Sequence, residues 1–146
     1  MHKIEWSDEL SLGVEEIDGQ HKELIRIANE VITAVTEELG PSVVDSIIHR
    51  LREYTVYHFN SEEQLMRDAF YPHVSAHTDE HGKLRDKVKE YQRLLYLQKK
   101  VTPKDVLDFM KAWLLEHILS TDRELAKFIH EQDEKRAQME AERDQE

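Results

Sequence analysis

Cysteine is absent from this 146-residue chain. Disulfides and thiolate metal sites are therefore excluded, and any metal ion must be held by nitrogen and oxygen donors. Glycine and proline are scarce, with four and three copies, and strand-like alternation bounded by turn residues is missing throughout, which leaves helix as the dominant element. Long apolar runs are lacking too. The opening residues MHKIEWSDEL carry no apolar signal core, and no stretch approaches the roughly 20 apolar residues that a bilayer crossing needs. We expect no membrane insertion and a cytoplasmic, reducing location. Basic residues are the minority, 20 against 31 acidic, for a net charge of -11, and no Lys/Arg cluster is dense enough to grip a phosphate backbone. Nucleic acid is not an expected partner.

What the chain does have is helical periodicity, punctuated at few places. Gly13 and Gly19 precede the first apolar stripe, LGPS at 39–42 separates the first two, FYPH at 70–73 the next two, and VTP at 101–103 the last two. The expected helices run over roughly 19–38, 42–69, 73–100 and 103–130. Short connections between long helices force antiparallel neighbours, so the expected fold is all-α, an up-down-up-down four-helix bundle. Residues 1–130 form one domain with an N-terminal arm. Residues 131–146, EQDEKRAQMEAERDQE, have almost no apolar side chains and read as a solvated helix extension or a disordered tail.

The core stripes contain residues that do not belong in an apolar core. Alternating steps of four and three give Val44, Ile48, Leu51, Thr55, His58, Glu62 and Leu65 in the second helix, and Val74, His77, His81, Leu84, Val88, Tyr91 and Leu95 in the third. The first helix gives His21, Leu24, Ala28, Val31 and Val35, and the fourth Val106, Met110, Trp113 and His117. Each helix thus turns a histidine inward. One such histidine, taken singly, reads as a core residue hydrogen-bonded to a neighbour. Several imidazoles and a carboxylate buried together cost a few kcal/mol per unpaired group. They need a common partner, and a metal centre is the economical one.

Bundle geometry supports convergence independently. His21 lies about 18 residues before the middle of the first connection and His58 about as far after it, so at a rise of about 1.5 Å per residue they share a level. His58 and Glu62 flank the second connection at distances comparable to those of His77 and His81, and His81 and His117 do so at the third. Asp122 fits less simply, because five residues of ideal helix turn it about 140° from His117. Either a π-type turn separates the two, or Asp122 reaches in from a neighbouring stripe through Ile118 and Leu125.

The segments DGQH at 18–21, HFNSEE at 58–63, HTDEH at 77–81 and HILSTD at 117–122 closely resemble the hemerythrin family, particularly its single-domain bacterial members. The flanking YP and WLLEHI match too, and the likeness spans about residues 5 to 125. The resemblance implies an oxo- or hydroxo-bridged, non-haem di-iron centre. His77, His81 and His117 would hold one iron, His21 and His58 the other, with Glu62 and Asp122 bridging. With roughly six ligands preferred per iron, the first is full and the second keeps one open position for dioxygen. Ferritin-like sites instead use Glu-x-x-His pairs, and no such pair occurs here.

Around the open position, helical spacing places Leu24, Trp113, Leu114 and Ile118. They fill the core, and they would also keep water and protons from bound dioxygen. His73 reads as a helix-start or surface residue, and His2, His49 and His130 as solvated. Glu63, about 100° from Glu62, reads as a surface residue. Tyr54 and Tyr57 read as packing. The expected function is reversible dioxygen binding by a monomer for storage, transport or delivery to an oxygen-consuming protein, not catalysis. The alternatives are a di-iron enzyme that reduces peroxide or nitric oxide, and an oxygen or redox sensor.

Overall fold

A computed structural model describes residues 3–97 and 102–145. His2 and the side chains of Leu95 and Val106, which the sequence reading had placed, lie outside the described residues. The helices are α1 (Glu15–Thr36), α2 (Pro41–Asp68), α3 (Val74–Tyr96), α4 (Pro103–Glu116) and α5 (Arg123–Asp144). A π-helical segment, His117–Asp122, joins α4 and α5 into one rod. α1 packs against α2 and α4, and α3 packs against the same two. The expected antiparallel four-helix bundle is the fold, and no strand occurs among the described residues.

Local chemistry explains where the helices stop. α1 and α2 end in matching turns: Leu39 N–H reaches back to Ala34 O and Tyr71 N–H to Met66 O, with Glu38 and Phe70 left-handed at φ 52° and 54°. Both are Schellman closures, here built on non-glycine residues. Gly40, at φ 99°, then admits the chain to Pro41 at the start of α2. α4 begins with a capping box in which Thr102 and Asp105 satisfy each other's backbone N–H.

Three boundaries differ from expectation: α3 ends at Tyr96, with 98–100 of the expected helix outside the described residues, and the other two are at α1 and the last rod. α1 starts four residues early, because the break falls at Gly13 (φ 73°) while Gly19 lies inside the helix. The last rod continues to Asp144, so the charged tail is a solvated helix, built from Ala, Glu, Gln, Lys and Arg that favour helix without burial.

The N-terminal arm is tied down by specific bonds. Asn29 exchanges two hydrogen bonds with the Ile4 backbone, each 2.8 Å. Asp18 accepts from Ser11 and Leu12, and His130 Nε2 donates to Leu12 O at 2.8 Å. His130 is therefore a strut for the arm and not merely solvated. His49 and His73 are exposed as expected. Tyr54 packs on the core, but Tyr57 is exposed, a correction to the packing reading.

The core is split in two. A larger cluster gathers Leu24, Val31, Ile48, Phe59, Trp113 and Ile118 among others, and a smaller one gathers Leu12, Ile17, Met66, Tyr71, Leu125 and Ala126. On α1, α2 and the last rod the inward polar residues fall between members of the two clusters. A polar layer therefore crosses the bundle between two apolar ones.

Candidate metal centre

Spacing delivers the polar layer. His58 and Glu62 on α2 are one turn apart, as are His77 and His81 on α3, so each pair faces one way. α1 brings His21. The last rod brings both His117 and Asp122, because its π segment inserts one extra residue and lets positions five apart share a face. Of the two routes open to Asp122, the π turn is the one found. Leu119 and Ser120 are pushed out to solvent by it, while Ile118 stays buried.

All seven residues are at most 3 % exposed, and their reactive atoms converge. His21 Nε2 lies 2.6 Å from Asp122 Oδ2, and His117 Nε2 lies 2.9 Å from the same atom. His77 Nε2 is 2.9 Å from Glu62 Oε2 and 3.3 Å from Asp122 Oδ1. His81 Nε2 is 3.3 Å from Glu62 Oε2, and His58 Nε2 contacts Glu62 Oε1. Every inward imidazole thus presents Nε2 to the two carboxylates.

The carboxylates and imidazoles shift one another's acidity. Burial opposes a charge on His58, but Glu62 and Asp122 outweigh it and raise its pKa from 6.5 to about 9. His77 reaches about 9 by the same balance, and His117 is held well above the usual range. The carboxyl groups move the other way. Burial raises Glu62, yet His58, His117 and His77 bring it well below its ordinary value. Asp122 is lowered too, since His117 and His21 overcome its burial and the nearby Glu62 charge. Two buried negative charges thus demand positive ones, either protons on the imidazoles or metal cations.

Hydrogen bonding alone does not satisfy this layer. Among the described residues, eight of the ten buried side-chain N and O atoms without a hydrogen-bond partner belong to these seven residues. Five of the eight face the centre: Nε2 of His58, His81 and His117, Oε1 of Glu62 and Oδ1 of Asp122. Each orphaned group costs about 1–3 kcal/mol. Two overlapping donor groups, each with atoms within 4.8 Å of one another, offer the remedy: His21, His58, Glu62, His117 and Asp122, and Glu62, His77, His81, His117 and Asp122. Glu62, His117 and Asp122 belong to both. The donors fit a metal site of imidazole and carboxylate type.

One side of the layer is apolar. Leu24, Trp113, Leu114 and Ile118 are buried in the larger cluster, and the Trp113 ring meets the His117 ring at 5.5 Å. Sequence reasoning missed Phe59, which stacks on His81 at 3.9 Å with the rings 7° from parallel. Its position three residues before Glu62, on nearly the same helical face, was the available signal. Glu63 is corrected outright. Its carboxylate lies 3.3 Å from His81 Nδ1 and its side chain is only 12 % exposed, because the face 100° from Glu62 meets α3 and not water. Gln20 and Glu80 were also missed, and both sit beside a histidine in sequence.

Comparison with known proteins follows the same lines. The family model of the hemerythrin HHE cation binding domain matches residues 12–129. The bacteriohemerythrin of Clostridium acetobutylicum is 35 % identical over 124 residues, covering 82 % of this chain and 95 % of that protein. That of Stenotrophomonas maltophilia is 32 % identical over 126 residues, covering 86 % and 81 %. Among solved structures, a wild-type hemerythrin crystal structure superposes with a TM-score of 0.78 at 28 % identity, covering 86 % of this chain and 97 % of that one. A leucine-to-alanine hemerythrin mutant gives 0.79 at 28 % identity, covering 88 % and 98 %.

Proposed function

Since the chain belongs to the hemerythrin family, we propose that it holds two iron ions and binds dioxygen reversibly, for storage, transport or delivery to an oxygen-using protein. The observation that carries this reading is the convergence of five imidazole Nε2 atoms and two carboxylates in one buried layer. By the family pattern, His77, His81 and His117 would hold one metal ion and His21 and His58 the other, with Glu62 and Asp122 shared. The unequal count leaves the two-histidine position with a site free for an exogenous ligand. Two ferrous ions held by these residues would supply the electron pair needed to bind dioxygen reversibly.

The chain's own residues set the conditions. Glu62 and Asp122, kept ionised by the surrounding imidazoles, neutralise cation charge that the buried layer could not otherwise carry. Leu24, Trp113, Leu114 and Ile118 exclude water and offer no proton to a bound oxygen atom, apart from the Trp113 indole N–H, whose Nε1 has no hydrogen-bond partner. Release without chemistry is favoured where protons are scarce.

The deciding experiment is an optical spectrum of anaerobically reduced, iron-loaded protein before oxygen, after oxygen and after its removal. A charge-transfer band that comes and goes supports carriage. Irreversible oxidation on first exposure would overturn it in favour of an oxidase or peroxidase reading.

A further inference from the structure

Behind the inward ring nitrogens lies a second layer of contacts. His58 Nδ1–H donates to Gln20 Oε1 at 2.7 Å, Gln20 Nε2 to Ser61 Oγ at 2.9 Å, and Ser61 Oγ to Glu16 Oε1 at 2.8 Å. The direction of this relay is set at its outer end, because an ionised carboxylate only accepts. Ser61 must donate outward, so it accepts from the Gln20 amide. The amide oxygen is left for His58, whose Nδ1 must carry a proton, which leaves Nε2 as the nitrogen available to ligate.

His81 and His117 are backed differently. Glu63 Oε1 lies 3.3 Å from His81 Nδ1, and Glu80 Oε1 lies 3.6 Å from His117 Nδ1. The Thr121 hydroxyl, in the π segment, sits 2.9 Å from both Glu80 oxygens and holds that carboxylate against the last rod. His21 Nδ1, His77 Nδ1 and His117 Nδ1 have no hydrogen-bond partner, so Glu80 acts on His117 through charge at 3.6 Å, whereas Glu63 is hydrogen-bonded to His81. The three backing residues follow a rule: Gln20 adjoins His21 on α1 and backs a histidine of α2, Glu63 adjoins Glu62 on α2 and backs one of α3, and Glu80 adjoins His81 on α3 and backs His117. Each helix braces the next.

We propose that this outer layer makes the two metal positions unequal: the Glu63 and Glu80 carboxylates brace two histidines of the three-histidine position, while the neutral Gln20 amide braces the two-histidine position. The inference rests on the two-iron reading above. A carboxylate facing an imidazole N–H raises the basicity of the opposite ring nitrogen, whereas an amide fixes the tautomer with much less donation. The three-histidine position is therefore the tighter and more electron-rich of the two. Glu63 and Glu80 act through histidines and are positioning residues.

Ferrous iron titrated anaerobically into metal-free, full-length protein, followed by calorimetry, tests this. Two binding steps are expected, and His77→Ala, which removes one ligand of the three-histidine position, should weaken the tighter one without eliminating it. In E63Q/E80Q the tight step should weaken by about 10–100-fold while the second stays in place. The midpoint potential of the loaded centre should rise in that variant and fall in Q20E. Equal weakening of both steps in E63Q/E80Q, or a potential that moves the same way in both variants, would overturn the proposal. E80Q alone decides the matter should E63Q fail to fold, since the Glu80 side chain is 39 % exposed. Wild-type protein that takes up fewer than two ferrous ions would instead sink the two-iron reading itself.

Discussion

At the scale of single residues, the side chains proposed to hold metal are distinct from those proposed to shield it. On the proposed assignment His77 belongs to the position with three imidazoles and His58 to the position with two, so their loss should not be equivalent. His77→Ala should retain a centre with an extra exchangeable position, while His58→Ala should abolish stable oxygen binding. Oxygen-dependent spectra of the two reduced variants check this, and undiminished binding in both would refute the assignment. Leu24 and Ile118, both fully buried, test the shield. Leu24→Ser or Ile118→Ser should speed oxidation to the ferric form more than it lowers iron content. If both residues only pack the core, the substitution costs about 1–4 kcal/mol and iron retention falls together with it. Autoxidation rate, iron content and melting temperature measured on the same samples distinguish the two outcomes.

At the scale of elements, the π segment is the feature that brings Asp122 inward. Its extra residue is accommodated by exposing Leu119 and Ser120. Deleting Leu119 should leave an ordinary α-helix in which the former His117 to Asp122 spacing is four, still one face, so iron binding and helicity should survive. Deleting Asn60 from α2, which has no such slack, rotates Glu62 and everything after it by about 100° and should eliminate iron binding. Iron per chain and far-UV circular dichroism of the two deletions provide the check. A Leu119 deletion that loses iron as completely as the Asn60 deletion would show that the π geometry itself is required.

At the scale of the whole molecule, four helices meet at one charged layer, so metal and fold are coupled. Removing metal should lower the melting temperature clearly, because ligands from every helix lose their common partner. The metal-free protein should also have a distinctive pH profile. His58 and His77 are raised from 6.5 to about 9 in the fold, so the stability they contribute is complete below about pH 6.5 and is lost as pH rises through about 9. Glu62 and Asp122 are lowered, so their contribution is present above the ordinary carboxylate range and is lost as pH falls below it. Melts of metal-free protein should therefore peak near pH 5 to 6.5 and decline toward pH 9. Metal-loaded protein, whose imidazoles bind in neutral form, should lack the alkaline decline. Parallel declines in the two forms would show that other groups govern alkaline stability.

The sequence by itself determined the helices, their order and the inward turn of the histidines, because an amphipathic stripe and a breaker are local properties read along one chain. The donor type of the site was legible because a chain without cysteine offers imidazole and carboxylate as its strong metal donors. Asp122 was legible only as a choice, since the 140° misfit could be relieved in two ways and the π turn is visible only in the folded chain. Glu63 was misplaced for a related reason: a helical wheel gives the angle between two side chains but not whether the second meets water or another helix. The bracing of His58, His81 and His117 by Gln20, Glu63 and Glu80 was decided by tertiary structure alone. Each of those contacts joins side chains of different helices, and the direction of the relay from His58 depends on a surface carboxylate of α1, Glu16, met through Ser61 of α2.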